Sequence, residues 1–489
     1  MAAILFVPIA APLVAAGIAA IFGWHRWTAV VTALSALAIL ATGVALAFLT
    51  SDEPLVDSHH LLQADALSST MLLVIGTVAT LACLASIGYI DTELADGHTS
   101  PKGARLYGLL LPVFLAAMTL SVMAMSIGVM WVGIEATTVV TAFLVGHRRT
   151  RAALEATWKY VIICSFGIAL AFFGTVLVYF AGTMTEEPGN HALDIDVLLS
   201  GAAGLDPRVT SLAAGLLLLG YGAKAGLVPF HTWLADAHSQ APAPVSALMS
   251  GVLLSVAFYA LLRVKAIIDL TLGEGFMRVG LIVMGLLTLA VAALLLVVQT
   301  DFKRMLAYSS MENMGIVAIA AAIGTRLAIA ALLLHVLAHG VAKALVFVSS
   351  GAIQRAHGST AIANVGAVLA RSPLVGSAFT LGVVVLLGLP PFAMFASEWG
   401  IARALAAGGF GWLLGAMLLF VAIAFAGLVR AGSSMMLGAP GASDAPFAPP
   451  RAVGAALVLG IGLSVALCFS IGPLTRLLEA AATTLGAGQ

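Results

Sequence analysis

Taken by its apolar and polar positions alone, the chain is a succession of long apolar runs parted by short polar interruptions. Each run is about 20 residues, the length a helix needs to cross the hydrocarbon core of a bilayer. Broken at loop signals, the pattern predicts spans near 4–22, 27–49, 68–90, 105–124, 127–146, 156–181, 210–237, 243–265, 276–298, 302–323, 326–351, 374–404, 410–437 and 452–473. The expected fold is an all-α polytopic membrane protein of about fourteen transmembrane helices. The first run, MAAILFVPIAAPLVAAGIAAIF, has no Lys or Arg ahead of it and is followed by His25 and Arg26. It reads as a spanning helix that starts outside, rather than as a signal peptide.

Basic residues give the runs a direction. One set of loops carries Arg26, Lys102, Arg105, Arg148, Arg149, Arg151, Lys159, Lys303, Arg304, Arg355, Arg371, Arg430 and Arg451. The other set has Arg208, Arg263, Lys265, Arg278, Arg326, Arg403 and Arg476, with the acidic segments SDEPLVDSHH and TMTEEPGNHALDID. The positive-inside rule makes the first set cytoplasmic in a cell-membrane protein. An even number of spans then puts both termini on the extracytoplasmic side.

Two spans are interrupted in the same way. GLVPFHTWLADA (Gly226 to Ala237) and GLPPFAMFASEW (Gly388 to Trp399) align on their glycines, so that Pro229 meets Pro391, Phe230 meets Phe392 and Asp236 meets Glu398. Proline removes a backbone donor and clashes with the preceding turn, which predicts a broken helix at each place. Irregular backbone at membrane depth survives only where protein or a wet cavity covers it. Matched interruptions in two halves are the mark of an internally repeated transporter.

Composition narrows the chemistry. Of 489 residues, 61% are hydrophobic and 9% charged, and the formal net charge is zero, with no basic block suited to nucleic acid. Cys83, Cys164 and Cys468 stand alone in apolar runs, without a C-x-x-C or a cluster for iron–sulfur, nickel or zinc. No P-loop and no Rossmann fingerprint follows a strand. The chain itself is therefore expected to hold no cofactor, to carry no electrons and to hydrolyse no nucleotide.

What remains is a set of ionisable groups at membrane depth, where a charge costs about 2.5–3.5 kcal/mol on insertion scales. They are Glu135, Lys224, Glu312, the trio His335, His339 and Lys343, and Glu398. A spacing of four residues makes the trio one drifting stripe along a helix. Its readings are a metal site, which lacks a further ligand, packing histidines, or a proton relay of groups that can be charged or neutral at little cost. Lys224 lies just before the first break, with Glu135 the best-placed carboxylate on a neighbouring span; the pair is either a fixed ion pair or a switchable one. His231, Asp236 and His238 follow the break, either lining a cavity or capping a helix. Glu312 is a lateral link or a lysine's partner. Glu155 with Lys159, and Asp301 with Lys303 and Arg304, read as surface and turn pairs.

Three stretches carry a resemblance: KAGLVPFHTWLADAHSQAPAPVSALMSG (Lys224 to Gly251), QTDFKRMLAYSSMENMG (Gln299 to Gly315) and HVLAHGVAKALVFVSSG (His335 to Gly351). They resemble the antiporter-type subunits of the complex I superfamily: the L, M and N subunits of NADH–quinone oxidoreductase, multisubunit Na+/H+ antiporters and membrane-bound hydrogenases. WVGIEATTVV with Leu154 to Thr175 is most similar to hydrogenase-4 component F, of group 4 nickel–iron hydrogenase and formate hydrogenlyase complexes. The resemblance implies two inverted five-helix repeats, here 104–270 and 271–440, between three N-terminal helices (1–103) and a C-terminal helix (441–489). It implies that Glu135 and Lys224 are the coupling pair of an input half-channel, His335, His339 and Lys343 the central relay, and Glu398 the output position. His231, Asp236, His238, Glu312 and Ser255 are auxiliary candidates. Two departures stand out: Ser255 replaces the lysine of the M-type subunits, and Ala235 replaces the proline of W-L-P-D. No C-terminal extension matches the lateral helix of the L-type subunit.

The expected function is thus proton translocation coupled to electron transfer in partner membrane and peripheral subunits, of nickel–iron hydrogenase and iron–sulfur type. The alternatives are a subunit of a Na+/H+ antiporter, moving Na+ as well as protons, and a proton-silent anchor.

Overall fold

The computed structural model describes residues 2–50, 53–183, 191–438 and 445–486. Ser51 and Asp52 of the first acidic segment, and residues 184–190 of the second, lie outside them. The helices are α1 (Val7–Phe22), α2 (Arg26–Leu49), α3 (Ala66–Ala95), α4 (Pro101–Met123), α5 (Ile127–Val145) and α6 (Arg151–Thr183). Next come α7 (Ile195–Gly201), α8 (Pro207–Lys224), α9 (Trp233–Gln240), α10 (Ala243–Leu248), α11 (Leu254–Leu272), α12 (Gly275–Val298) and α13 (Phe302–Ile323). The remainder are α14 (Arg326–His357), α15 (Val368–Arg371), α16 (Pro373–Leu386), α17 (Ala393–Ala407), α18 (Gly411–Met436) and α19 (Arg451–Thr484). A two-residue hairpin, Leu55–Val56 against Gln63–Ala64, closes the α2–α3 loop.

Among the described residues, 12 helices are long and apolar enough to cross a membrane. Helix ends fall where the sequence supplies caps. Asp65 accepts from Ser68 N at 2.8 Å, Asp206 from Val209 N at 2.9 Å and Asp301 from Arg304 N at 2.9 Å, each satisfying an orphan N–H of a first turn. Left-handed Gly324 and Gly358 terminate α13 and α14.

Both expected breaks are present, between α8 and α9 and between α16 and α17. Gly226 (φ +79°) and Gly388 (φ +61°) open them in conformations that favour glycine. In both, the N–H of the phenylalanine returns to the leucine carbonyl three residues back: Phe230 to Leu227 at 3.1 Å, Phe392 to Leu389 at 3.2 Å. A third irregularity was not expected from the sequence: Met249–Leu253, between α10 and α11, is a π-helical turn. It follows no proline or glycine signal distinct from its surroundings.

Burial is concentric. The most hydropathic windows of α10–α11 and α14 are wholly buried, and that of α13 nearly so, while α1, α6, α18 and α19 turn most of their side chains outward. Helix α14 packs on α10, α13, α16, α17 and α19, and α8 on α6 and α11. The central helices are therefore surrounded by protein, and their polar residues answer to protein groups, not lipid. Arg263, taken from the sequence as a loop charge, is a correction. It is 2% exposed inside α11, paired with Asp65 at 2.6 Å and donating to Tyr259 OH at 2.9 Å.

Candidate functional site

Lys224 is the last residue of α8, so its ammonium sits at the negative end of that helix's dipole, immediately before the break. It is fully buried. Its Nζ donates to Thr138 Oγ1 at 2.8 Å and to Tyr160 OH at 2.7 Å, and lies 4.9 Å from the Tyr160 ring centroid. Trp233 Nε1 donates to the Ala223 carbonyl at 3.1 Å, tying α9 back to the end of α8. The expected direct ion pair with Glu135 is not formed: among the described residues Lys224 pairs with no carboxylate. Glu135 sits one helical turn before Thr138 on α5, within electrostatic reach of Lys224, with its Oε2 buried and unpartnered. The Thr138 hydroxyl thus holds the position that the carboxylate was expected to fill.

The second group lies on α14. His335, His339 and Lys343 share one face, as the four-residue spacing predicts, and all are buried. The two imidazole rings are nearly parallel, 8° apart with centroids 6.4 Å apart. His335 is held from both sides: Nε2 is 2.9 Å from Asn313 Oδ1 on α13 and Nδ1 is 3.0 Å from Ser397 Oγ on α17. Asn313 Nδ2 donates to the Ser309 carbonyl at 2.6 Å, which orients its oxygen towards the imidazole. His339 Nε2 has no partner. Lys343 Nζ donates to the Leu306 carbonyl at 2.8 Å and to Ser309 Oγ and, among the described residues, pairs with no carboxylate. Among those residues, then, both groups hold a lysine without an ion pair.

Glu312, beside Asn313, is 4% exposed and makes no ion pair among the described residues, though Lys343 and Glu398 both act on it electrostatically. Glu398 is half-buried in α17, its carboxylate packed against Gly388 at the second break. Of the auxiliary residues, Asp236 pairs with Lys159 at 2.9 Å and with Arg304 at 2.7 Å. Glu155 and Lys159 form the expected surface pair at 2.6 Å. Among the described residues His231 Nδ1, both ring nitrogens of His238 and Ser255 Oγ are buried with no hydrogen-bond partner. Lys303, read as part of a turn, is instead 2% exposed and donates to the Ala241 carbonyl at 2.9 Å.

Sequence reasoning missed Thr138, Tyr160, Ser309, Asn313 and Ser397. Only Asn313 and Ser397 carried a signal, each adjoining a glutamate at membrane depth. Among the described residues no group of three or more His, Cys, Asp or Glu is arranged to hold a metal ion.

Buried lysines, stacked histidines and two broken helices within a bundle of spanning helices define an antiporter-like membrane subunit. The family model described as "NADH:quinone oxidoreductase/Mrp antiporter, TM" matches residues 124–425, and the chain belongs to that family. It is 39% identical over 337 residues to the hydrogenase-4 component F homolog of Methylacidiphilum infernorum, covering 68% of this chain and 70% of that one. It is 29% identical over 352 residues to hydrogenase-4 component B of Escherichia coli, covering 69% of this chain and only 50% of that longer one. Its fold is that of a chain in the membrane-bound sulfane sulfur reductase, an archaeal respiratory membrane complex, with a TM-score of 0.87, 23% identity, and 99% and 98% of the two chains covered.

Proposed function

We propose that this chain translocates protons as a membrane subunit of a hydrogenase- or NADH dehydrogenase-like respiratory complex. The observation that carries the proposal is the pair of buried lysines. Lys224 and Lys343 are each 0% exposed and, among the described residues, held only by hydroxyl and carbonyl oxygens. A buried charge is retained at low cost only with a counter-ion. A proton on an amine that lacks one can be handed on.

Protons would enter by Glu135 and Lys224, pass through Lys343, His339 and His335, and leave by Glu398, or run the reverse course. The matched breaks support a division into two inverted repeats, 104–270 and 271–440, after three helices (1–103) and before a last one (441–489). The charged loop set with Arg148, Arg355 and Arg451 would face the cytoplasm, with both termini outside the cell membrane. Redox centres would belong to partner nickel–iron and iron–sulfur subunits.

The family description names Mrp antiporters beside the quinone oxidoreductases, which supports a Na+/H+ antiporter subunit as the second reading. Mild-detergent purification of the tagged chain, with partner identification, nickel and iron analysis and reconstitution into vesicles, tests both. Nickel, iron, a large cysteine-rich partner and proton uptake driven by a redox donor are expected. Small metal-free membrane partners with Na+-dependent transport and no donor would establish the antiporter instead. Redox activity without proton uptake would leave a proton-silent anchor.

A further inference from the structure

A cavity of about 210 Å³ opens on the basic loop side, between α3, the start of α10, α14 and the start of α19. That volume has room for several waters at about 30 Å³ each. Its mouth is charged and internally balanced: Arg148 Nε meets Glu93 Oε2 at 2.9 Å and Arg355 Nε meets Asp96 Oδ2 at 2.7 Å. Its inner wall includes Val348 and Gly351 of α14. The stripe His335, His339, Lys343 continues at the same four-residue step through Phe347 to Gly351, so one side chain separates the cavity wall from Lys343. That side chain is Phe347, and the His238 ring stacks on it, with centroids 5.4 Å apart and planes at 26°. His238 is 0% exposed, yet neither ring nitrogen has a hydrogen-bond partner among the described residues. Buried imidazole nitrogens are ordinarily satisfied, and a pair left open marks a place for water or a transient proton.

We infer that this cavity is a loop-side proton vestibule for Lys343, closed by the stacked His238–Phe347 pair. It would connect the second half of the chain to loop-side water beside the route through Glu135 and Lys224, on which net uptake still depends. The inference rests on the relay reading of Lys343. A hydronium ion in the cavity gives its proton to a ring nitrogen of His238, leaving water and an imidazolium. The imidazolium passes a proton to the neutral amine of Lys343, restoring neutral His238 and leaving an ammonium. The groups facing His238 are Lys343 and Lys303, whose charges both reach the ring. Both repel the imidazolium, which keeps it transient and favours its passage to Lys343 once that amine is empty. Phe347 excludes a continuous file of water, so the step is gated by the ring pair.

Thiol accessibility tests the route without reference to pumping. In the intact complex, with Cys83, Cys164 and Cys468 replaced by serine, a charged membrane-impermeant thiosulfonate is applied from the loop side. Ala352→Cys, in the cavity wall, is expected to react. Lys343→Cys is expected to be protected, and to become reactive when Phe347→Ala is added. Reaction of Lys343→Cys regardless of Phe347, or continued protection with Phe347→Ala while Ala352→Cys still reacts, overturns the gate. Proton uptake by vesicles carrying the complex supplies the second test, with complex assembly checked for each variant. His238→Phe is expected to lose uptake. If Lys343→Met abolishes uptake while His238→Phe proceeds at the parent rate, the vestibule is wrong and the relay stands. If Lys343→Met has no effect, the relay reading fails, whatever the thiols report.

Discussion

At the first break the ionisable group stands before the interruption, on Lys224; at the second it stands after it, on Glu398. The backbones are alike, with a positive-φ glycine, a leucine, a proline and a phenylalanine in register. The charges are not. The residue matching Lys224 is Leu386, and the residue matching Glu398 is Asp236. Asp236 is neutralised by Lys159 and Arg304 at the loop edge, whereas Glu398 is half-buried against Gly388 and, among the described residues, has no ion pair. One scaffold has therefore been given a cation at one break and a carboxylate at the other. The broken helix supplies a covered, irregular backbone, and the side chain placed beside it decides what that backbone serves.

The largest expected contrast is between the two matched acids. Glu398→Gln should stop proton uptake by vesicles carrying the complex, because the proposed route ends on that carboxylate. Asp236→Asn should leave most uptake in place and cost about 0–1 kcal/mol, as partly exposed pairs do. Equal losses at both positions would erase the distinction.

Next in size is the setting of Lys224. Tyr160→Phe removes one of its two hydroxyl ligands, a hydrogen bond to a charged group worth about 1.5–3 kcal/mol. Uptake should fall roughly ten- to a hundredfold, since each 1.4 kcal/mol is a factor of ten. Thr138→Val, which removes the other ligand, should act in the same direction, and uptake rates of the two variants measure it.

Gly226→Ala should destabilise the first break by about 1–2 kcal/mol, the cost of a left-handed conformation for an L-residue. The added Cβ would also stand 2.6 Å from Leu234 Cδ1, a side-chain end that can shift. At Gly388 an added Cβ would run into the Glu398 carboxylate itself. Gly388→Ala should accordingly impair transport beyond its effect on detergent thermal stability, and Gly226→Ala should not.

The smallest effect lies in the loop between α2 and α3, away from both breaks. Burial pushes the Asp57 carboxyl up, but the N–H groups of Leu62, His59 and Leu61 and the nearby His59 charge outweigh it and hold the group below the usual carboxylate range. The bonds measure 2.7 Å to Leu62, 2.9 Å to His59 and 2.7 Å to Leu61. A lowered folded-state value means stabilisation that is present above the unfolded value, about 3.9, and lost as pH falls through the folded one. Asp57→Asn should therefore lower the melting temperature near pH 7, with the gap to the parent narrowing as the pH falls below 4.

Much of this arrangement was legible in the residues. Apolar runs of bilayer length matched the 12 long apolar helices found among the described residues, and the paired Gly-Leu-x-Pro-Phe motifs located both breaks. The four-residue spacing of His335, His339 and Lys343 put them on one face. What sequence could not convey was which group faces which across helices. Glu135 and Lys224 looked like partners because each is costly alone in a membrane, yet threonine and tyrosine hydroxyls, common in such helices, occupy the lysine. Lys303 and Arg263 were read as loop charges by their distance along the chain, and burial by neighbouring helices is invisible at that level. The π turn at Met249–Leu253 packs against α14, a contact far apart in sequence.

The central claim is that Lys224 carries protons. The direct test is proton uptake by vesicles containing the intact complex, comparing Lys224→Met with the parent at equal redox activity. Met keeps the stem and removes the proton. The account predicts that uptake is abolished while assembly and electron transfer persist; uptake at the parent rate would contradict it.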